Sequence, residues 1–166
     1  EAEEVLNYAM WSSEPIPFDA MEIAIHEAYS NFESEDERPF FKLVHEYPLG
    51  GKPPMMTHVF ENESGKKIIA AKGAPEALIE VSHLSEVEKN QVLNAMKTMT
   101  SKGFRVLGVG VSDFEGTNYP VTQQALKFNF KGLVAFYDPP KHNIQAVFET
   151  FYKAGIQVKI VTGDNA

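Results

Sequence analysis

No cysteine occurs anywhere in the chain, which excludes disulfide frameworks, thiol nucleophiles and thiolate–zinc sites together. Basic residues are scarce: 15 Lys plus Arg face 23 Asp plus Glu, a formal charge of -8. A general nucleic-acid binder or a basic membrane-surface module would carry the opposite surplus. No apolar run approaches the roughly 18–20 residues that cross a bilayer. The opening Glu1-Ala-Glu-Glu4 is not a secretory signal. A Gly-x4-Gly-Lys-Ser/Thr P-loop is also missing, so Walker-type nucleotide binding is excluded. What remains is an ordinary globular balance, 43% hydrophobic and 23% charged over 166 residues. That length suits one compact domain with a short piece of a second. The ending Val161-Thr-Gly-Asp-Asn-Ala166 follows an apolar run directly and reads as a cut-out piece.

Helical spacing of Val5, Leu6, Ala9 and Met10 predicts a helix over residues 3–11, which Pro15 and Pro17 break. Asp19 and Glu22 form a capping-box-like start for a second helix, whose apolar stripe is Met21, Ile25, Ala28, Tyr29 and Phe32. The acidic run Glu33-Ser-Glu-Asp-Glu37 reads as a solvated loop. From Phe40 the period becomes two: Phe41, Leu43, His45 and Tyr47 alternate with Lys42, Val44 and Glu46 until Pro48–Pro54 interrupts. Met55–Phe60 and Lys67–Ala71 flank Asn62-Glu-Ser-Gly65, the composition of a hairpin turn. Pro75 opens a short helix, Ser85 and Glu88 form a capping box for another through Lys102, and Gly103 ends it. Phe104–Val111 is a β-rich run with two glycines.

Beyond a boundary near 129–132, Leu133–Phe136, the helix Ile144–Ala154 and the run Ile156–Val161 read as a parallel βαβ unit. The expected fold class is therefore α+β: an antiparallel sheet flanked by helices over 1–131, then a βαβ stub over 132–166.

Among chemical signals, Lys72-Gly-Ala-Pro-Glu76 stands out. A strand ends on a lysine, a glycine permits close backbone approach, and a helix N-terminus follows, which together suit an anion such as phosphate. Read as residues alone, Gly73 could equally be a turn and Lys72 a surface charge. The pentapeptide resembles the signature of the nucleotide-binding domain of P-type ATPases, cation pumps that pass through an aspartyl-phosphate. Further segments resemble that family in its order: Asp19-Ala-Met-Glu22, Glu46-Tyr-Pro-Leu49, Met56-Thr-His-Val59, Gly103-Phe-Arg-Val-Leu107, Asp138-Pro-Pro-Lys141 and Thr162-Gly-Asp-Asn165. The resemblance is closest to the calcium and sodium/potassium-pump branch.

The resemblance implies roles for particular residues. Lys72, Gly73 and Ala74 would line the ATP pocket, with Met56 beside them and Glu22 near the adenine amino group. Arg105 would clamp the phosphates. Asp138 and Lys141 would lie near the hinge to the phosphorylation domain, and Thr162, Gly163 and Asp164 in its phosphoryl site. The polypeptide would be that of residues 1–131 as nucleotide-binding domain and 132–166 as a partial, Rossmann-like, haloacid-dehalogenase-type phosphorylation domain. It would lie on the cytoplasmic side of a membrane, with the rest of the same pump as partner and ATP with Mg2+ as ligand. The acceptor aspartate lies outside this sequence, so the chain alone should not turn over.

Two departures matter. Leu49 stands where the family has an adenine-stacking Phe, and Pro54 where it has a lysine. Loss of ring stacking costs on the order of 1 kcal/mol, although Tyr47 and Lys52 are candidate substitutes. Weak ATP binding is expected, with a dissociation constant above roughly 0.1 mM. A degenerate, non-catalytic interaction module is the main alternative. A haloacid-dehalogenase-like phosphatase is a lesser one, since no Asp-x-Asp-x-Thr occurs. Asp113-Phe-Glu-Gly-Thr117 mimics the phosphorylated motif but lacks its Lys and follows the nucleotide segments, so it reads as a surface turn. His26, His45, His58, His83 and His142 show no metal-ligand spacing, and Met55 and Met56 read as core.

Overall fold

The structure, a computed structural model, describes residues 2–32, 36–137, 139, 141–159 and 161. The chain begins with α1 (Ala2–Trp11) and α2 (Ala20–Phe32). Three strands follow: β1 (Phe41–Gly50), β2 (Met55–Asn62) and β3 (Lys67–Gly73). Next come α3 (Pro75–Val81), α4 (Glu86–Thr100), β4 (Arg105–Val111), β5 (Asn129–Phe136) and α5 (Ile144–Lys153). The five strands form one sheet in the order β1-β2-β3-β4-β5, and every neighbouring pair is antiparallel. This is the expected α+β class, an antiparallel sheet with flanking helices.

Local chemistry explains the element ends. The Asn62 side chain accepts from the backbone N–H groups of Ser64 and Lys66, closing the β2–β3 hairpin. Ser85 and Glu88 make both halves of their capping box at the start of α4. Past its end Gly103 takes φ +82, a conformation that favours glycine.

Side chains of paired strands leave the sheet on two faces. On one face, α1 and α2 cover Phe41, Phe60, Ala70 and Val109, and Trp11 meets Phe41 and Phe60 edge-on at 5.2 and 5.0 Å. On the other, α3 and the segment through Leu126 and Phe128 cover Met55, Val59, Ile69 and Ala71. The two glycines of β4 belong to this second face. A Cβ on Gly108 would lie 3.1 Å from Pro75 Cα, and one on Gly110 would lie 3.1 Å from Leu78 Cδ1. Their lack of side chains lets α3 sit directly on the strand.

The C-terminal part departs from expectation. Leu133–Phe136, read as the first strand of a parallel unit, belongs to β5, which runs antiparallel to β4 from Asn129↔Val111 to Phe136↔Arg105. The division expected between residues 131 and 132 falls inside this strand. Ile156–Lys159, the described part of the expected last strand, is not a strand. No strand pair among the described residues is parallel, and the one parallel contact is an isolated bridge between Ser82 and Phe128. The physical reason is availability: the open edge of β4 can satisfy the backbone groups of 129–136, whereas a parallel strand needs partners these residues do not supply.

Candidate functional site

Lys72 is the penultimate residue of β3, opposite Met56 on β2 and Val109 on β4. It points to the α1/α2 face and is only 5% exposed. Its ammonium donates to Glu22 Oε1 at 2.7 Å, to the Ser12 carbonyl at 2.8 Å and to Ser13 Oγ at 2.9 Å. An ammonium has three N–H groups, so all three are engaged within the protein. The cation sits just past the C-terminal end of α1, and Glu22 lies in the first turn of α2, so both helix dipoles favour the pair. Burial pushes the Lys72 ammonium below the usual lysine range, and the Glu22 carboxylate opposes that shift.

Glu22 is 3% exposed. Asp19 does cap α2, its Oδ1 accepting from the N–H groups of Met21 and Glu22 at 2.8 and 2.9 Å. The Glu22 carboxylate does not complete a capping box, however. Its Oε1 takes Lys72 and the backbone N–H of Glu14, the latter at 3.2 Å, while Oε2 is buried without a partner. Sequence left capping and ligand binding both open for Glu22, and the fold commits one oxygen to Lys72.

Gly73 has a packing reason of its own. A Cβ there would lie 2.5 Å from both Met55 Cα and Pro54 O, so the missing side chain makes room for β2 and its preceding loop. Ala74 donates its N–H to that same Pro54 carbonyl at 2.9 Å. Arg105 opens β4, with 105, 107 and 109 alternating onto the Lys72 face. It lines a groove of about 580 Å3 with Pro53, Pro54, Ala74, Pro75 and Leu107. Leu49 is 67% exposed.

Two proposed substitutes fall elsewhere. Tyr47 pairs with Thr57 on the opposite face, is buried against the second core, and donates its hydroxyl to Pro120 O at 2.6 Å. It cannot replace an adenine-stacking ring on the Lys72 side, because the strand register turns it away. Lys52 is exposed and lines a separate groove with Tyr47, Val121 and Gln124. Lys141 is exposed before α5. Asp138, Thr162, Gly163 and Asp164 lie outside the described residues.

Glu22, Met56 and Lys72 thus meet at one end of one sheet face, with Arg105 farther along it. The family model for the P-type ATPase cytoplasmic domain N matches residues 18–143, from just before the α2 cap to the start of α5. The chain belongs to the P-type ATPase cytoplasmic domain N family. It is 28% identical over 175 aligned positions to Calcium-transporting ATPase 1 of Saccharomyces cerevisiae, covering 96% of this chain and 18% of the relative. It is 30% identical over 159 positions to the sodium/potassium exporting P-type ATPase cta3 of Schizosaccharomyces pombe, covering 87% and 15%. A calcium-transporting ATPase of Bacillus subtilis is 26% identical over 145 positions, covering 81% and 16%. The chain therefore spans less than a fifth of the length of these relatives. No helix among the described residues of this domain is long and apolar enough to cross a membrane.

Sequence reasoning missed one cluster. Glu14, Glu46 and His58 bring one carboxylate oxygen each and an imidazole nitrogen within 4.8 Å of one another. Residues 14, 46 and 58 follow no ligand spacing. The only legible signal is that two of them fall in neighbouring segments of alternating pattern.

Proposed function

We propose that this domain holds Mg-ATP in a cation pump and presents its γ-phosphate to an aspartate outside the chain. The observation that carries this reading is the Glu22–Lys72 arrangement. Lys72 engages Glu22 Oε1 at 2.7 Å, yet Glu22 Oε2 remains a buried acceptor without a donor. An unmatched buried acceptor costs about 1–3 kcal/mol, and an adenine amino group is a donor that would remove that cost. Because the Lys72 ammonium is fully engaged, its share in binding falls to its aliphatic stem beside Met56. The phosphates are then left to Arg105 at the groove rim, and Mg2+ arrives with the nucleotide. Residues beyond β5, with α5 carrying no buried residue, fit the returning segment of the phosphorylation domain. Transfer to a carboxylate would split hydrolysis into two steps and couple it to domain movement.

With Leu49 in place of a ring, the dissociation constant for ATP is expected above roughly 0.1 mM. An NMR titration tests the assignment. ATP should shift Glu22, Met56, Lys72 and Arg105, and GTP should bind about tenfold or more weakly, because guanine presents an oxygen where adenine presents an amino group. A second reading, a degenerate interaction module, is favoured by the saturated Lys72. Silence at all four residues up to millimolar ATP would establish that reading instead.

A further inference from the structure

We propose that Glu14, Glu46 and His58 form a binding site for a divalent cation of the zinc type, separate from the magnesium that accompanies a nucleotide. Glu46 and His58 are a cross-strand pair of β1 and β2, so their side chains leave the same face side by side. Glu14 reaches them from the segment joining α1 to α2.

His58 is already oriented as a ligand. It is fully buried, and its Nδ1 lies 3.0 Å from the Ser13 carbonyl. A carbonyl accepts only, so Nδ1 carries the proton and Nε2 presents its lone pair. A backbone carbonyl on the far nitrogen is the usual way a metal-bound imidazole is fixed. Nε2 is buried without a hydrogen-bond partner and lies 3.8 Å from Glu14 Oε1, too far for a hydrogen bond.

Three acceptors therefore converge with no donor between them among the described residues: one imidazole lone pair and two carboxylates. A single divalent cation between them would satisfy all three acceptors at once. Zinc takes imidazole and carboxylate together at about 2.0–2.2 Å, with water completing four ligands. In a tetrahedron such bonds place neighbouring ligand atoms near 3.4 Å, so Glu14 Oε1, at 3.8 Å from Nε2, needs close only slightly, and Glu46 starts within 4.8 Å of both. Glu46 is exposed and Glu14 partly so, which leaves their side chains free to make that movement. Magnesium, which prefers oxygen ligands in an octahedron, suits the buried imidazole poorly.

The cation would also brace the nucleotide end of the sheet. The Ser13 carbonyl holds His58, Ser13 Oγ holds Lys72, and the Glu14 N–H holds Glu22.

The test is calorimetric titration of the chain with zinc chloride, paired with melting curves with and without zinc. The expected result is one zinc per chain, a melting point raised by several degrees, and no response to magnesium chloride. Glu46→Gln and Glu14→Gln, both outside the buried core, should fold normally yet bind zinc about 10–100-fold more weakly. NMR should place the zinc-dependent shift on His58 Nε2. Undiminished binding in both variants, a shift at a different histidine, equal binding of magnesium, or no saturable zinc binding would each overturn the proposal.

Discussion

Gly73 illustrates how a residue with a functional signature can carry a structural load. The backbone of Met55 and the Pro54 carbonyl already fill the place of its side chain at 2.5 Å, and neither can rotate away. Gly73→Ala should therefore destabilise the fold by at least ~2 kcal/mol, read by urea denaturation without nucleotide. A glycine serving only ligand approach would leave that curve unchanged. His26 offers a second test at this scale. Its Nδ1 lies 3.1 Å from Arg38 Nη1, and Asp36 holds that guanidinium through two bonds of 2.8 Å. Burial first, then the Arg38 charge, holds the imidazole below its ordinary value of about 6.5. The Glu22 carboxylate opposes that shift and Lys72 adds to it. Above about 6.5 both folded and unfolded chains keep His26 neutral. As the pH falls below that value the unfolded chain takes a proton that the folded one refuses, so stability declines until the folded imidazole also protonates. His26→Gln should flatten stability against pH in this window. Asp36, held below the carboxylate range chiefly by its Arg38 hydrogen bond, loses its contribution only at lower pH, so the variant should leave that part of the curve in place.

At the scale of elements, β5 decides where the domain can be cut. Its backbone pairs with β4 along its whole length, and Val134 and Phe136 pack against the core that contains Trp11 and Val109. A chain ending at 131 leaves most of the β4 edge open and those contacts unmade. It should lose on the order of 3 kcal/mol or more and tend to associate through the bare edge. A chain ending at 143, which keeps β5 whole, should unfold like the full chain. Urea curves and size-exclusion profiles of the two distinguish these outcomes. This strand also marks the limit of what the sequence discloses. Period-two alternation at Phe41–Tyr47 and the turn residues Asn62 and Gly65 foretell the β1–β3 meander, because those signals are local. The Ser85–Glu88 box foretells α4 for the same reason. Leu133–Phe136 is an apolar run followed by a helix, and such a run does not say which edge it will join. That choice depends on β4, some twenty residues earlier in a different local context. The site divides in the same way. Motif order singles out Glu22, Lys72 and Arg105, but only the register shows that Tyr47 faces away, and only the hydrogen bonds show that Lys72 is saturated. Glu14, Glu46 and His58 converge from three separate segments, a proximity no spacing encodes.

For the whole molecule, the question is whether the chain could hydrolyse what it binds. The surroundings of Asp113 imitate those of a phosphorylated aspartate, since it follows an apolar strand. Its Oδ2 accepts from Asn129 Nδ2 at 2.8 Å, and it lines a groove with Asn7, Lys66 and Lys67. That groove lies at the far end of β4 from Arg105. Six residue steps from Arg105 to Val111 span about 20 Å of extended strand, whereas in-line transfer needs the acceptor oxygen within about 3.5 Å of phosphorus. A nucleotide whose phosphates rest near Arg105 therefore cannot use Asp113 within one copy of the domain. Mg-ATP incubated with the chain should release phosphate at the rate of a protein-free blank, and Asp113→Asn should change neither that rate nor the ATP-dependent shifts at Glu22 and Lys72. Phosphate release proportional to protein and abolished by Asp113→Asn would require a different nucleotide position from the one argued for this domain.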